Sequence, residues 1–96
     1  MEVSLIAHLE AKDGFGDQLA ERLARHAIAV RGEPGNRLFQ VFRHRDARDR
    51  FEVVETYADR AAFDSHIAAA HSLAFNAWLA DIAVGGGSRL TFLDAV

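Results

Sequence analysis

The 96-residue chain has no cysteine and only one each of proline, tryptophan, tyrosine and methionine. Without cysteine there can be no disulfide, no thiolate metal ligand and no cysteine nucleophile. No apolar run is long enough to cross a bilayer. The opening stretch "MEVSLIAHLEAKDG" alternates apolar and polar residues and carries charges at Glu2, Glu10, Lys12 and Asp13, unlike a signal peptide. The expectation is therefore a soluble, cytoplasmic protein with no membrane partner. Eleven basic residues face fourteen acidic ones, for a net charge of −3, and the basic residues are scattered. That pattern predicts no nucleic-acid groove. Nothing reads as a linker or a repeat, so residues 1–96 are expected to form one domain. Half the residues are hydrophobic. A chain this short buries a limited fraction of its surface, and a second copy would bury more.

What is present is periodicity. Residues 2–11 alternate, with Val3, Leu5, Ala7 and Leu9 on one side and Ser4, Ile6, His8 and Glu10 on the other, which predicts a strand. Phe15, Leu19, Leu23, Ala27 and Val30 recur at helical spacing over 15–31. "GEPGN" stops that helix, "RLFQVFRH" and "RFEVVETYA" read as two strands joined by the charged turn "RDARD", and "RLTFLDAV" reads as a last strand after the flexible break "VGGGS". Asp59 is the expected N-cap of a short helix reaching about Ala69, and Ser72 the expected cap of another ending near Ala83. The order β-α-β-β-α-(α)-β is the split βαβ, ferredoxin-like pattern, an α+β fold. Helices cover one face of such a sheet. Here Ile6, Leu38, Phe42 and Leu93 make the other face apolar as well. A sheet apolar on both sides is buried on both sides, and an identical sheet is the simplest cover, which predicts a homodimer.

The candidates for chemistry centre on "DSHIAAAHSLAF". His66 shares a helix face with Phe63 and Ile67, turned toward the sheet. Either its ring is bonded to a backbone carbonyl, or it lines a pocket and exchanges a proton with a phenol or enol. On one continuous helix His71 would lie about 140° from His66 around the axis. With no third ligand of suitable type nearby, the pair does not read as a metal site. If the helix instead breaks between Ala69 and His71, the His71 ring either turns back to the same cavity or bonds free backbone groups at the junction. Glu55 alternates onto one face with Phe51, Val53 and Tyr57, so its carboxylate is either wet or paired with His66 or an arginine. Asn36 is a turn residue or a polar group at the pocket mouth. His8 and His26 lie on a strand and a helix with no partner visible in the sequence, His44 is expected to be solvated in a charged turn, and Trp78 reads as core.

"EPGN", the run "RFEVVETYADRAAFDSHIAAAHSLAF" and the closing "RLTFLDAV" together resemble the antibiotic biosynthesis monooxygenase (ABM) domain family, across essentially the whole chain. The resemblance implies a dimeric α+β barrel of two ferredoxin-like protomers. It implies one of several chemistries: cofactor-independent oxidation of phenols or hydroquinones by dioxygen, haem degradation, or isomerisation of a phosphorylated signalling sugar derivative. Where the haem-degrading branch carries asparagine, tryptophan and histidine, this chain has Ala7, His66 and Asn76, which departs from that branch. The quinol-monooxygenase-like branch keeps the histidine pair and the strand-three glutamate.

The expected function is a monooxygenase, needing no cofactor and no metal, that acts on a small phenolic or hydroquinone-like substrate with dioxygen. His66 is the expected base, Glu55 its orienting partner, and His71 or Asn36 the contact to oxygen anions. Phe39, Tyr57, Phe63 and Phe75 are expected to bind the substrate. The alternatives are the isomerase, with Arg37 and Arg43 as phosphate ligands, and a non-catalytic ligand-binding or dimerisation module of the same fold. A cavity with Glu55 facing His66 would favour an enzyme over the module.

Overall fold

The computed structural model describes all 96 residues. The elements are β1 (Val3–Glu10), α1 (Gly16–Arg31), β2 (Asn36–Arg43), β3 (Arg50–Tyr57), α2 (Arg60–Ala68), α3 (Ala70–Ile82), a short 3-10 turn (Val84–Gly86) and β4 (Arg89–Leu93). The four strands form one antiparallel sheet in the order β2-β3-β1-β4. This is the ferredoxin-like α+β arrangement that the element order predicts, with the helices on one face. No helix is long and apolar enough to cross a membrane.

Alternation along each strand decides which side chains meet the helices. Leu5, Ala7 and Leu9 of β1 pair with Glu55, Val53 and Phe51 of β3, and Phe39 and Val41 of β2 join them on the inner face. The α1 stripe of Leu19, Leu23, Ala27 and Val30 packs on this face with Phe75 and Leu79 of α3. A smaller cluster of Leu5, Tyr57 and Phe63 closes the other end. On the outer face Ile6, Leu38, Val54, Phe42 and Leu93 share the surface with two polar groups. Ser4 bonds Thr56 through their hydroxyls at 3.0 Å. Glu52 accepts from His8 and, at 2.7 Å, from His44. Leu38, Phe42 and Leu93 are all exposed in the single chain.

Local signals act largely as read, with three corrections. The Asp59 carboxylate accepts from the Ala62 N–H at 2.8 Å and starts α2. Ser72, however, caps nothing: α3 begins at Ala70, and Ser72 lies inside its first turn, buried. The reason is Ala69, whose extended backbone (φ −64°, ψ 145°) ends α2 and serves as the N-cap of α3. The last strand stops at Leu93, short of residue 96. The "VGGGS" run is a defined turn in which Gly85 and Gly86 take φ of 77° and 78°, a region open mainly to glycine.

The loop between α1 and β2 lies hard against α2. A Cβ built on Gly35 would stand 2.3 Å from the Ala62 Cβ, so only glycine permits the approach. The Gly35 carbonyl accepts from Ala58 N–H at 2.8 Å, which ties the loop to the end of β3. Gly35→Ala is expected to force loop and helix apart and to cost about 1–3 kcal/mol in chemical denaturation. Ala62→Gly in the same chain should restore part of that loss; unchanged stability of the single variant would refute the close-packing account.

Candidate functional site

Because α2 ends at Ala69 and α3 restarts at once, His66 and His71 do not lie on one helix, and the angular separation of a continuous helix does not apply. Their rings converge on the carboxylate of Glu33, held in place by the tightly packed loop. Glu33 Oε2 accepts from His66 Nδ1 at 2.9 Å and from His71 Nε2 at 2.5 Å, and Oε1 lies 3.2 Å from His66 Nδ1. All three side chains are mostly buried, His71 being the most open with about a third of its side chain exposed. The pattern assigns the His66 proton to Nδ1. Its Nε2 is left as an acceptor, 3.8 Å from Glu55 Oε1.

Glu55 belongs to a second chain of bonds. Its carboxylate accepts the Tyr57 hydroxyl at 2.7 Å. Burial pushes the Glu55 carboxyl above the usual carboxylate range, against the opposing pull of the Tyr57 bond and the His66 charge. Burial and the Glu55 charge likewise raise the Tyr57 phenol far above its ordinary value, while a bond from Asn36 acts in the other direction. Asn36 reaches Tyr57 because a bulge between Asn36 and Leu38 puts Asn36 opposite Tyr57 at the start of β2. Its amide also donates to the Leu38 carbonyl at 3.1 Å.

A cavity of about 100 Å³ lies between sheet and helices. Phe39, Phe63 and Phe75 wall it, with His66, Glu55 and His26 among its polar lining. Of the expected site residues, five therefore meet there: His66, Glu55 and the three phenylalanines. Tyr57 stands behind Glu55, fully buried, and Asn36 behind Tyr57. His71 touches the site through Glu33. The close partner of His66 is Glu33; Glu55 approaches its other nitrogen without a hydrogen bond. Arg37 pairs with Glu2, and Arg43 with Asp17 and the Arg48 carbonyl. No lysine or arginine lines the cavity.

Two participants escape a reading of the sequence. Glu33 looks like a turn residue, and no local pattern marks it. His26 could have been found, since positions 19, 23, 26, 27 and 30 lie on one helical face. Its ring stacks on Phe75 at 4.3 Å between centroids and lies 5.8 Å from that of His71. Burial, reinforced by the charges of His66, His71 and Arg22 and opposed by Glu33, lowers its pKa to about 4. His26 is thus neutral at pH 7, and its Nδ1 and the nearby Ser72 Oγ are buried without a hydrogen-bond partner. Buried polar atoms rarely lack partners, and both residues line the cavity, where a ligand's polar atoms can supply them.

The depressed His26 pKa has a consequence for stability. Between pH 6.5 and about 4 the unfolded chain binds this proton and the folded chain does not. The His26 contribution is therefore complete above pH 6.5 and lost as pH falls through that window. Glu55, with a raised pKa, acts in the opposite direction. Urea denaturation at pH 7 and pH 5 should accordingly show the wild type losing roughly 2 kcal/mol more than His26→Phe. Equal losses would contradict the assignment.

A sequence model of the family described as antibiotic biosynthesis monooxygenase matches residues 2–78. No curated protein matches the chain. Among solved structures, Rv0793 from Mycobacterium tuberculosis superposes with a TM-score of 0.90 at 22% identity, covering 100% of this chain and 96% of that one. PA3566 from Pseudomonas aeruginosa does so with 0.90 at 22%, covering 99% and 94%. A mutant of SnoaB, a cofactor-independent oxygenase from Streptomyces nogalater, gives 0.84 at 20%, covering 98% and 92%. At these identities the structural likeness speaks for the fold, while the match over 2–78 assigns the lineage. The chain belongs to the antibiotic biosynthesis monooxygenase family.

Proposed function

We propose that the protein is a cofactor-independent monooxygenase that oxidises a small phenolic or hydroquinone-like molecule with dioxygen. The observation that carries this reading is the His66 imidazole, fixed by Glu33 at Nδ1 with its Nε2 free beside an aromatic-walled cavity. Membership of a monooxygenase family and the fold shared with a cofactor-independent oxygenase support it.

In this mechanism His66 Nε2 removes the phenolic proton, and Glu33 stabilises the imidazolium that results. The phenolate, in a dry apolar pocket, passes an electron to dioxygen. The resulting radical pair combines at a ring carbon to form a peroxide. Cleavage of its O–O bond leaves one oxygen atom on the ring as a quinone carbonyl, and the other departs as water with the ring hydrogen and the phenolic proton. His26 Nδ1 and Ser72 Oγ are free to bond substrate or peroxide oxygen. A cavity of roughly 150 Å³ can take benzene, so about 100 Å³ suits a single ring with modest opening and not a polycyclic one. The absence of cationic lining counts against a phosphorylated substrate and hence against the isomerase. The cavity, with Glu55 beside His66, counts against a purely structural module.

Oxygen uptake with a panel of single-ring phenols and quinols tests this. Glu33→Gln and His66→Ala should each lower turnover on the order of 100-fold. Substrate-dependent uptake that is unchanged in both variants, or no uptake with any member of the panel, would sink the proposal.

We also propose a homodimer joined through the outer sheet face. Leu38, Phe42 and Leu93 are exposed there beside Ile6 and Val54, an apolar area that a second copy would cover. Light scattering after size exclusion should give twice the 10.6 kDa chain mass, and Phe42→Asp should shift it toward one. A wild-type monomer at micromolar concentration would overturn the pairing.

A further inference from the structure

Glu33, His66 and His71 bring a carboxylate oxygen and two imidazole nitrogens within 4.8 Å of one another, from a loop and two helices. We propose that these three side chains form a binding site for a divalent transition-metal ion of the zinc type. Two imidazoles and a carboxylate are a ligand set that holds such ions while leaving positions for water. The present spacings of 2.9 Å and 2.5 Å are those of hydrogen bonds. In a tetrahedral site, ligand atoms stand about 3.3 Å apart for bonds of about 2.05 Å, so each Glu33 contact needs to lengthen by under about 1 Å, with the two imidazole nitrogens, now within 4.8 Å, settling to the same spacing.

Two further features fit a metal centre. An imidazole that binds metal through one nitrogen usually donates its other N–H to a carboxylate, which fixes the ring. His66 Nε2 faces the buried Glu55 carboxyl at 3.8 Å, so a small shift of the ring would let it donate there. There is also a way in. Glu33 lines a cleft on the outside of the fold, with Pro34, Gly35, Ser65 and Ala69, and the His71 ring is partly exposed. An approach from that side would meet Glu33, which does not line the aromatic cavity.

Occupancy would also change what His66 can do. Metal on Nδ1 moves the ring proton to Nε2, and the acceptor beside the cavity becomes a donor. In the oxygenase reading this switches the base off, so the ion acts as an inhibitor there. Metal binding itself does not rest on that reading and is measured without substrate.

The test uses the full chain, stripped of metal by chelator. It is titrated with Zn²⁺ by calorimetry and with Co²⁺ by visible absorption. The expected result is saturable binding of one ion per chain, weakened at least about tenfold in both His71→Ala and Glu33→Gln, with circular dichroism confirming the fold. His8→Ala removes the main competing cluster, His8–Glu52–His44 on the outer face, and should leave the affinity unchanged. No saturable binding by the wild type, affinity retained in either site variant, or loss of binding in His8→Ala overturns the proposal.

Discussion

A single carboxylate, that of Glu33, accepts from two imidazoles on successive helices, and most of the site's chemistry depends on it. Without it, His66 would have no partner to choose its tautomer, and His71 would have no link to the cavity. Three local features bring the groups together. Gly35 lets the loop approach α2, the extended residue Ala69 turns α3 away from α2, and the Asp59 cap fixes where α2 begins. Each is a local device of ordinary chemistry. Their joint effect is a buried acid–base cluster assembled from residues 33, 66 and 71.

The inner face of the sheet supports this cluster with a second one. Glu55 and Tyr57 alternate onto that face because side chains on a strand have a period of two, and the β2 bulge adds Asn36 behind them. Burial favours the neutral form of both Glu55 and His26, in keeping with the apolar walls of the cavity. The cavity is polar at chosen points and otherwise walled by phenylalanine and aliphatic side chains.

The fold is largely legible in the sequence, because strand alternation and helical spacing are one-dimensional records of which side faces the core. The β-α-β-β-α-α-β order, the Asp59 cap and the two-faced sheet all follow from them. The failures have physical causes. Ser72 looks like a cap by type, but the backbone at Ala69 supplies the break, and Ser72 falls within the helix. His26 lies on a visible apolar stripe, but a lone histidine on such a face has no partner in its own sequence neighbourhood to mark it.

The sequence alone determined the element order, the inward face of each strand and the presence of His66 and Glu55 near one core. Those properties arise from neighbours a few residues apart, so a linear pattern encodes them. Only the tertiary structure decided that Glu33, rather than Glu55, holds His66, that His71 shares that carboxylate, and that His26 joins the cavity. Those contacts span up to 45 positions of chain and are set by how a loop packs on a helix, by less than the width of one methyl group at Gly35. Periodicity does not record such distances; packing does.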